Sequence, residues 1–106
     1  HVMDIAAYLE LVVFKSDRAF ERIINVPKRG LGTSVVRTIK EYSESSGKSL
    51  YSAAKVVRCS DIRGVSGRAK RALGAFLDLI EHFRTIARTS SSIRELVDLI
   101  ITKVGY

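Results

Sequence analysis

Val26-Pro27-Lys28-Arg29-Gly30-Leu31-Gly32-Thr33 holds the chain's one proline, two of its glycines one residue apart, and two adjacent cations. It lies between two stretches of helical periodicity, so it reads as the turn of a helical hairpin spanning residues 17–46. Pro27 and the residue before it end the first helix. Glycines at 30 and 32 allow positive φ and close approach of another molecule. Thr33 caps the next helix, so several backbone N–H groups converge on one place. Beside Lys28 and Arg29, that place suits a phosphate. Leu31 points inward and pins the hairpin. Arg37, on the exposed face of the second helix, adds Coulomb attraction. A plain connection between two helices fits the same residues.

Outward from this turn the whole chain reads as helical, and no segment alternates as a strand would. The first helix runs from about Val2 to Phe14. Ile5, Tyr8, Leu9, Val12 and Val13 recur through it, and so much apolar surface implies burial on most sides. Ser16 or Asp17 opens a short second helix with Ala19, Phe20, Ile23 and Ile24 inward. Thr33 or Ser34 starts the third, striped by Val35, Val36, Ile39 and Tyr42 and stopped by Gly47. Ser49 caps a fourth, with Leu50, Ala53, Ala54 and Val57 inward, and a polar loop follows from Arg58 to Val65. Ser66 caps the longest helix, which ends near Thr89. Its stripe is Ala69, Leu73, Phe76, Leu77, Ile80, Phe83 and Ala87. Gly74 lies inside that helix at about 1 kcal/mol relative to alanine and marks a close crossing. Ser92-Ile93-Arg94-Glu95 is a capping box for a last helix that buries Leu96, Leu99 and Ile100. The expected fold is all-α: one domain over residues 1–106, a compact orthogonal bundle of about six helices containing a helix-hairpin-helix-like element.

Charge and composition narrow the function. The net charge is +7, and the region from Lys15 to Arg71 carries 14 basic and 5 acidic residues. A basic region beside a near-neutral one is a nucleic-acid footprint or simply a solvated basic surface. The lone Cys59 excludes an internal disulfide and a multi-cysteine zinc site, fits a reducing cytosol, and reads as half-buried and inert. No apolar run is long enough to span a membrane, and the apolar opening lacks the leader of a secreted chain.

Rival chemistries fail on spacing. Gly47-Lys48-Ser49 resembles the end of a phosphate-binding P-loop, but Tyr42 stands where that pattern needs glycine. Gly64-Val65-Ser66-Gly67 resembles a nucleophile elbow, but its fifth position is Arg68. It still makes a second glycine turn, before a helix start rich in Arg68, Lys70 and Arg71. His82 shares a polar helix face with Asp78, and no acid pair or His/Cys cluster has metal-ligand spacing. Tyr8, Phe14, Phe20, Phe76 and Phe83 follow helix stripes, as core residues do. What remains is the hairpin. Contacts of its kind grip a DNA backbone without reading bases, so binding is sequence-independent and salt-sensitive.

Asp4-Ile5-Ala6-Ala7-Tyr8-Leu9, the run from Ala19 to Gly32, and the closing stretch from Glu95 to Tyr106 together resemble the 2B subdomain of UvrD/PcrA/Rep-type superfamily 1 DNA helicases. The run from Ala19 to Gly32 is the most specific part. The resemblance implies an insertion in the second motor domain of an ATP-driven 3′-to-5′ translocase, acting in repair and replication. It implies that Lys28, Arg29, Gly30, Leu31, Gly32 and Thr33 contact double-stranded DNA ahead of a fork; Arg37 is added from the helix face alone. It further implies a subdomain that swivels and tunes unwinding, in a cytoplasmic, bacterial protein. The motor's nucleotide-binding and metal-binding motifs are absent from this sequence. ATP and magnesium are therefore expected of the parent, with no cofactor and no catalytic or metal residue here, and the remaining helicase domains are expected partners. A protein-interaction or conformational-switch role is the alternative.

Overall fold

Serines start most of the helices, and each does so through the same local bond. The computed structural model describes residues 2–25, 31–60, 65–89 and 92–104. Its elements are α1 (Val2–Phe14), α2 (Asp17–Ile23), α3 (Thr33–Ser46), α4 (Leu50–Cys59), α5 (Gly67–Thr89) and α6 (Ile93–Val104). No strand occurs among the described residues. The Ser16, Ser49, Ser66 and Ser92 hydroxyls accept from the amides of Ala19, Ser52, Ala69 and Glu95 at 3.2, 3.2, 3.1 and 3.4 Å. Each bond satisfies a donor that the helix itself cannot. Gly47 ends α3 in the left-handed region, φ 71°, and its N–H donates to the Ser43 carbonyl. Lys15 ends α1 the same way at φ 54°, although no glycine or proline marks that boundary.

The core is continuous and apolar. Tyr8, Leu11, Phe20, Ile23, Ile39, Tyr51, Leu73, Phe76, Leu77, Ile80, Phe83 and Ile100 are the largest fully buried side chains, and no polar or charged residue is buried among those described. Tyr8 meets Phe83 edge to face at 6.3 Å, and Phe20 meets Phe76 likewise at 5.8 Å. These rings tie α1 and α2 to α5. The radius of gyration is 13.6 Å, close to the ~13 Å expected of a chain this long.

α1 departs from the expectation of burial on most sides. Ala7, Tyr8, Leu11 and Val12 are buried, whereas Val13 is 54% and Phe14 78% exposed. The helix is apolar nearly all round, so its sequence gave no sign of which face would be covered. The chain turns at Lys15 and leaves its last two apolar residues in solvent. Cys59 is exposed, not half-buried, because it sits at the last turn of α4. α4 also carries on through Arg58 and Cys59, where the loop was expected to begin.

Side-chain bonds fix how the elements run. α3 and α4 pack together across a three-residue connection, so they form an antiparallel pair. Glu21 on α2 pairs with Lys40 on α3 at 2.5 Å, and Asp17 accepts the Leu50 amide at 2.8 Å. Tyr51 and Lys55 reach Glu81, and Arg58 reaches Asp78, so α5 runs antiparallel to α4. The start of α3, the end of α4 and the start of α5 therefore lie at one end of the bundle.

Candidate nucleic-acid interface

α2 and α3 are joined at that end by a side-chain clamp. Asn25 Nδ2 donates to the Leu31 carbonyl at 2.7 Å, and the Leu31 amide donates to Asn25 Oδ1 at 3.3 Å. One amide side chain thus satisfies both backbone groups of Leu31 and closes the connection between the helices. Leu31 is buried at 4% exposure beside Val35 and Ile39, as its inward assignment required. Asn25 lies just past the end of α2. Its spacing of six residues from Leu31 falls outside any local capping pattern, so nothing in the sequence pointed to the clamp.

Lys28, Arg29 and Gly30 lie outside the described residues. Of the other expected site residues, Leu31 and Gly32 lead into α3 and Thr33 and Arg37 lie on its first turns, with Leu31 buried and the other three exposed. The cap differs from expectation. Gly32, not Thr33, occupies the N-cap position, and no side chain bonds the helix start. Gly32 has φ −78° and ψ 174°, ordinary extended backbone, and an added Cβ would meet nothing within 4 Å. Neither positive φ nor a crowded neighbour demands glycine at this place. What glycine supplies is a helix start with no side chain over its amides.

The charges around that start are unequal. Lys40 is held by Glu21, but Arg37 is exposed and has no carboxylate partner among the described residues. Thr33 and Ser34 are exposed beside it. The first-turn amides, the Thr33 hydroxyl and the Arg37 guanidinium can together receive an anion, since helix starts carry partial positive charge. The described residues contain no group of three or more ligating side chains that could hold a metal ion. No described helix is long and apolar enough to cross a membrane. His82 is exposed and lies against the Phe83 ring.

Fold and surface together define a small all-α domain with the exposed start of α3 at one end. No family model matches the chain. Curated relatives do. It is 40% identical over 106 residues to the ATP-dependent DNA helicase PcrA of Bacillus subtilis, covering 99% of this chain and 14% of the relative. It is 31% identical to PcrA of Staphylococcus epidermidis, with the same coverage. Against the ATP-dependent DNA helicase UvrD1 of Mycobacterium leprae it is 27% identical, covering 99% of this chain and 13% of the relative. The chain belongs to the UvrD/PcrA-type superfamily 1 helicases and corresponds to about one seventh of the length of these relatives.

Proposed function

We propose that this segment is the first part of the 2B subdomain and serves as an accessory duplex-DNA-binding domain of an ATP-dependent 3′-to-5′ helicase. It grips backbone phosphates without reading sequence and regulates unwinding by its orientation. The observation that carries this reading is the Asn25–Leu31 clamp, which leads into the bare start of α3 beside Arg37, an exposed arginine with no carboxylate partner among the described residues. Lys28, Arg29 and Gly30 belong to the same grip. ATP and magnesium act in the motor of the parent protein, which is cytoplasmic, and this segment contributes no catalytic residue. Val13, Phe14 and Ile93, exposed at 54, 78 and 70%, favour a second role: contact with the remaining helicase domains, through which the conformational switch would act.

Fluorescence anisotropy of a labelled duplex, titrated with salt, tests the reading. Wild type binds weakly with a negative salt slope of roughly 0.9 per phosphate contact. Arg29→Ala lowers that slope by about 1. A double substitution of Gly30 and Gly32 by alanine abolishes binding while circular dichroism shows unchanged helicity. Wild-type chain that ignores duplex DNA at low salt, yet binds a motor fragment, makes the interaction role primary. DNA-stimulated ATP turnover by this chain alone would overturn the non-catalytic assignment.

A further inference from the structure

α6 carries more apolar surface than the core covers. The helix packs on α1 and α5, and Leu96 and Ile100 are the residues it buries. Leu99 and Val104 pack partly against the core. Ile93, Val97 and Ile101 lie outside it. They recur at i, i+4 and i+8, so they form one ridge along the helix. Ile93 is 70% exposed, and Val97 and Ile101 are half-buried. Arg94 and Asp98, one turn apart, are both exposed. Successive residues turn by about 100°, which puts this pair beside the ridge on the side away from Leu96. Neither makes an ion pair with a described residue.

We infer that this edge of α6 pairs with the same edge of a second copy of the chain, the two helices running antiparallel about a two-fold axis. Such a contact needs a self-complementary surface, in which residue i meets j and j meets i. With the axis level with Leu96, Arg94 of each copy stands level with Asp98 of the other, so the flanks form two ion pairs. The same register serves the ridge. At a rise of about 1.5 Å per residue, the apolar side chains of the two ridges alternate between the copies at intervals of about 3 Å, with the two Val97 side chains at the centre. Charge and packing thus agree on one register. That agreement favours a second copy over an unrelated helix, which would have to carry acid and base in the matching order. The contact covers far less than the roughly 1,600 Å² of a standard stable interface, so the dimer is weak and reversible. It is independent of the DNA reading. It shares Ile93 with the face assigned above to the remaining helicase domains, so a second copy seated there excludes them.

Sedimentation velocity of the whole chain over a range of concentrations is the test, with circular dichroism as the folding control. The weight-average mass of the wild type rises with concentration towards that of a dimer. Arg94→Glu sets acid against acid in both pairs, and Asp98→Arg sets base against base, so each alone weakens self-association roughly tenfold. Mixed in equal amounts, the two variants associate about as well as wild type, because each offers the other opposite charges. Val97→Glu abolishes association from the centre of the ridge. A wild type that stays monomeric up to millimolar concentration overturns the inference and leaves the ridge to the remaining helicase domains. Self-association that neither charge reversal weakens places the contact elsewhere on the chain, and a mixture that fails to recover refutes the antiparallel register. Either result overturns the inference as well.

Discussion

The two ends of the α4–α5 pair use the same residue types to opposite effect. At the end where α4 begins, Lys55 and Arg84 are held by partners. Lys55 pairs with Glu81 at 2.7 Å and sits 4.9 Å from the centre of the Tyr51 ring. Arg84 donates to the Val12 carbonyl at 2.6 Å and also lies near that ring, as does Lys15, at 5.9 and 6.0 Å from its centre. Tyr51 is fully buried and its hydroxyl donates to Glu81. Burial, and then the Glu81 carboxylate, push the Tyr51 phenol above its ordinary range. Lys55, and then Tyr51, hold Glu81 below the usual carboxylate range. This end ties α1, α4 and α5 together. At the other end, Arg58, Arg71 and Asp78 are among the residues that line an open cleft of about 420 Å³ between α4 and α5. The closed network at the first end holds the fold, whereas the Arg58–Asp78 pair lies exposed at the other.

The largest effect expected from breaking this contrast is on stability. Tyr51→Ala removes the ring around which the first end is built and should cost about 3 to 5 kcal/mol, read by chemical denaturation. That is a large part of the total stability, roughly 5 to 15 kcal/mol, of a domain like this one. A loss under about 1 kcal/mol would show that the ring is not the keystone of that end.

A smaller effect is expected from pH. The folded state holds the Tyr51 proton more tightly than the unfolded state does. Its contribution is therefore complete below about pH 10, the ordinary tyrosine value, and falls away as pH rises beyond it. Tyr51→Phe should flatten the alkaline limb of the stability curve. Glu81 works in the other direction: its contribution is present above about pH 4.3 and is lost as pH falls. Glu81→Gln should flatten the acid limb.

The smallest effect on stability belongs to the cleft, and it comes with a gain. Arg58 holds the Asp78 carboxyl below its usual range through their paired hydrogen bonds, but the pair is exposed. Asp78→Asn should change stability by no more than about 0.5 kcal/mol. It removes a negative charge from the described lining of the cleft, so duplex affinity and salt slope should both rise. A drop in affinity would mean that the pose of Arg58 matters more than the charge it loses.

Much of the fold was legible because its signals are local. Ser16, Ser49, Ser66 and Ser92 each sit three residues before the amide they satisfy, a spacing visible in any sequence. The stripe of α5 repeats over 23 residues and matches the buried set from Ala69 to Phe83. Leu31 was legible as the one large apolar residue of a polar, glycine-rich turn. Other features join residues far apart in the chain. Asp17 was read as a candidate cap for α2, yet it accepts the Leu50 amide 33 residues away. Arg84 closes the last turn of α1 from 72 residues away. Tyr51 was not assigned to the core, because a phenol is buried only where a partner for its hydroxyl waits, and Glu81 is 30 residues off. Phe14 was assigned to the core and is exposed, since periodicity cannot choose a face on a helix that is apolar all round.

The sequence by itself determined the helices, their four serine caps and the kinship with UvrD- and PcrA-type helicases, because propensity, capping and motif all act over a few residues. Only the tertiary structure decided which cations are neutralised and which stay open. That choice depends on where α5 lies against α4. Its placement puts Glu81 within reach of Lys55 and Tyr51 and Asp78 within reach of Arg58, and leaves Arg71 exposed.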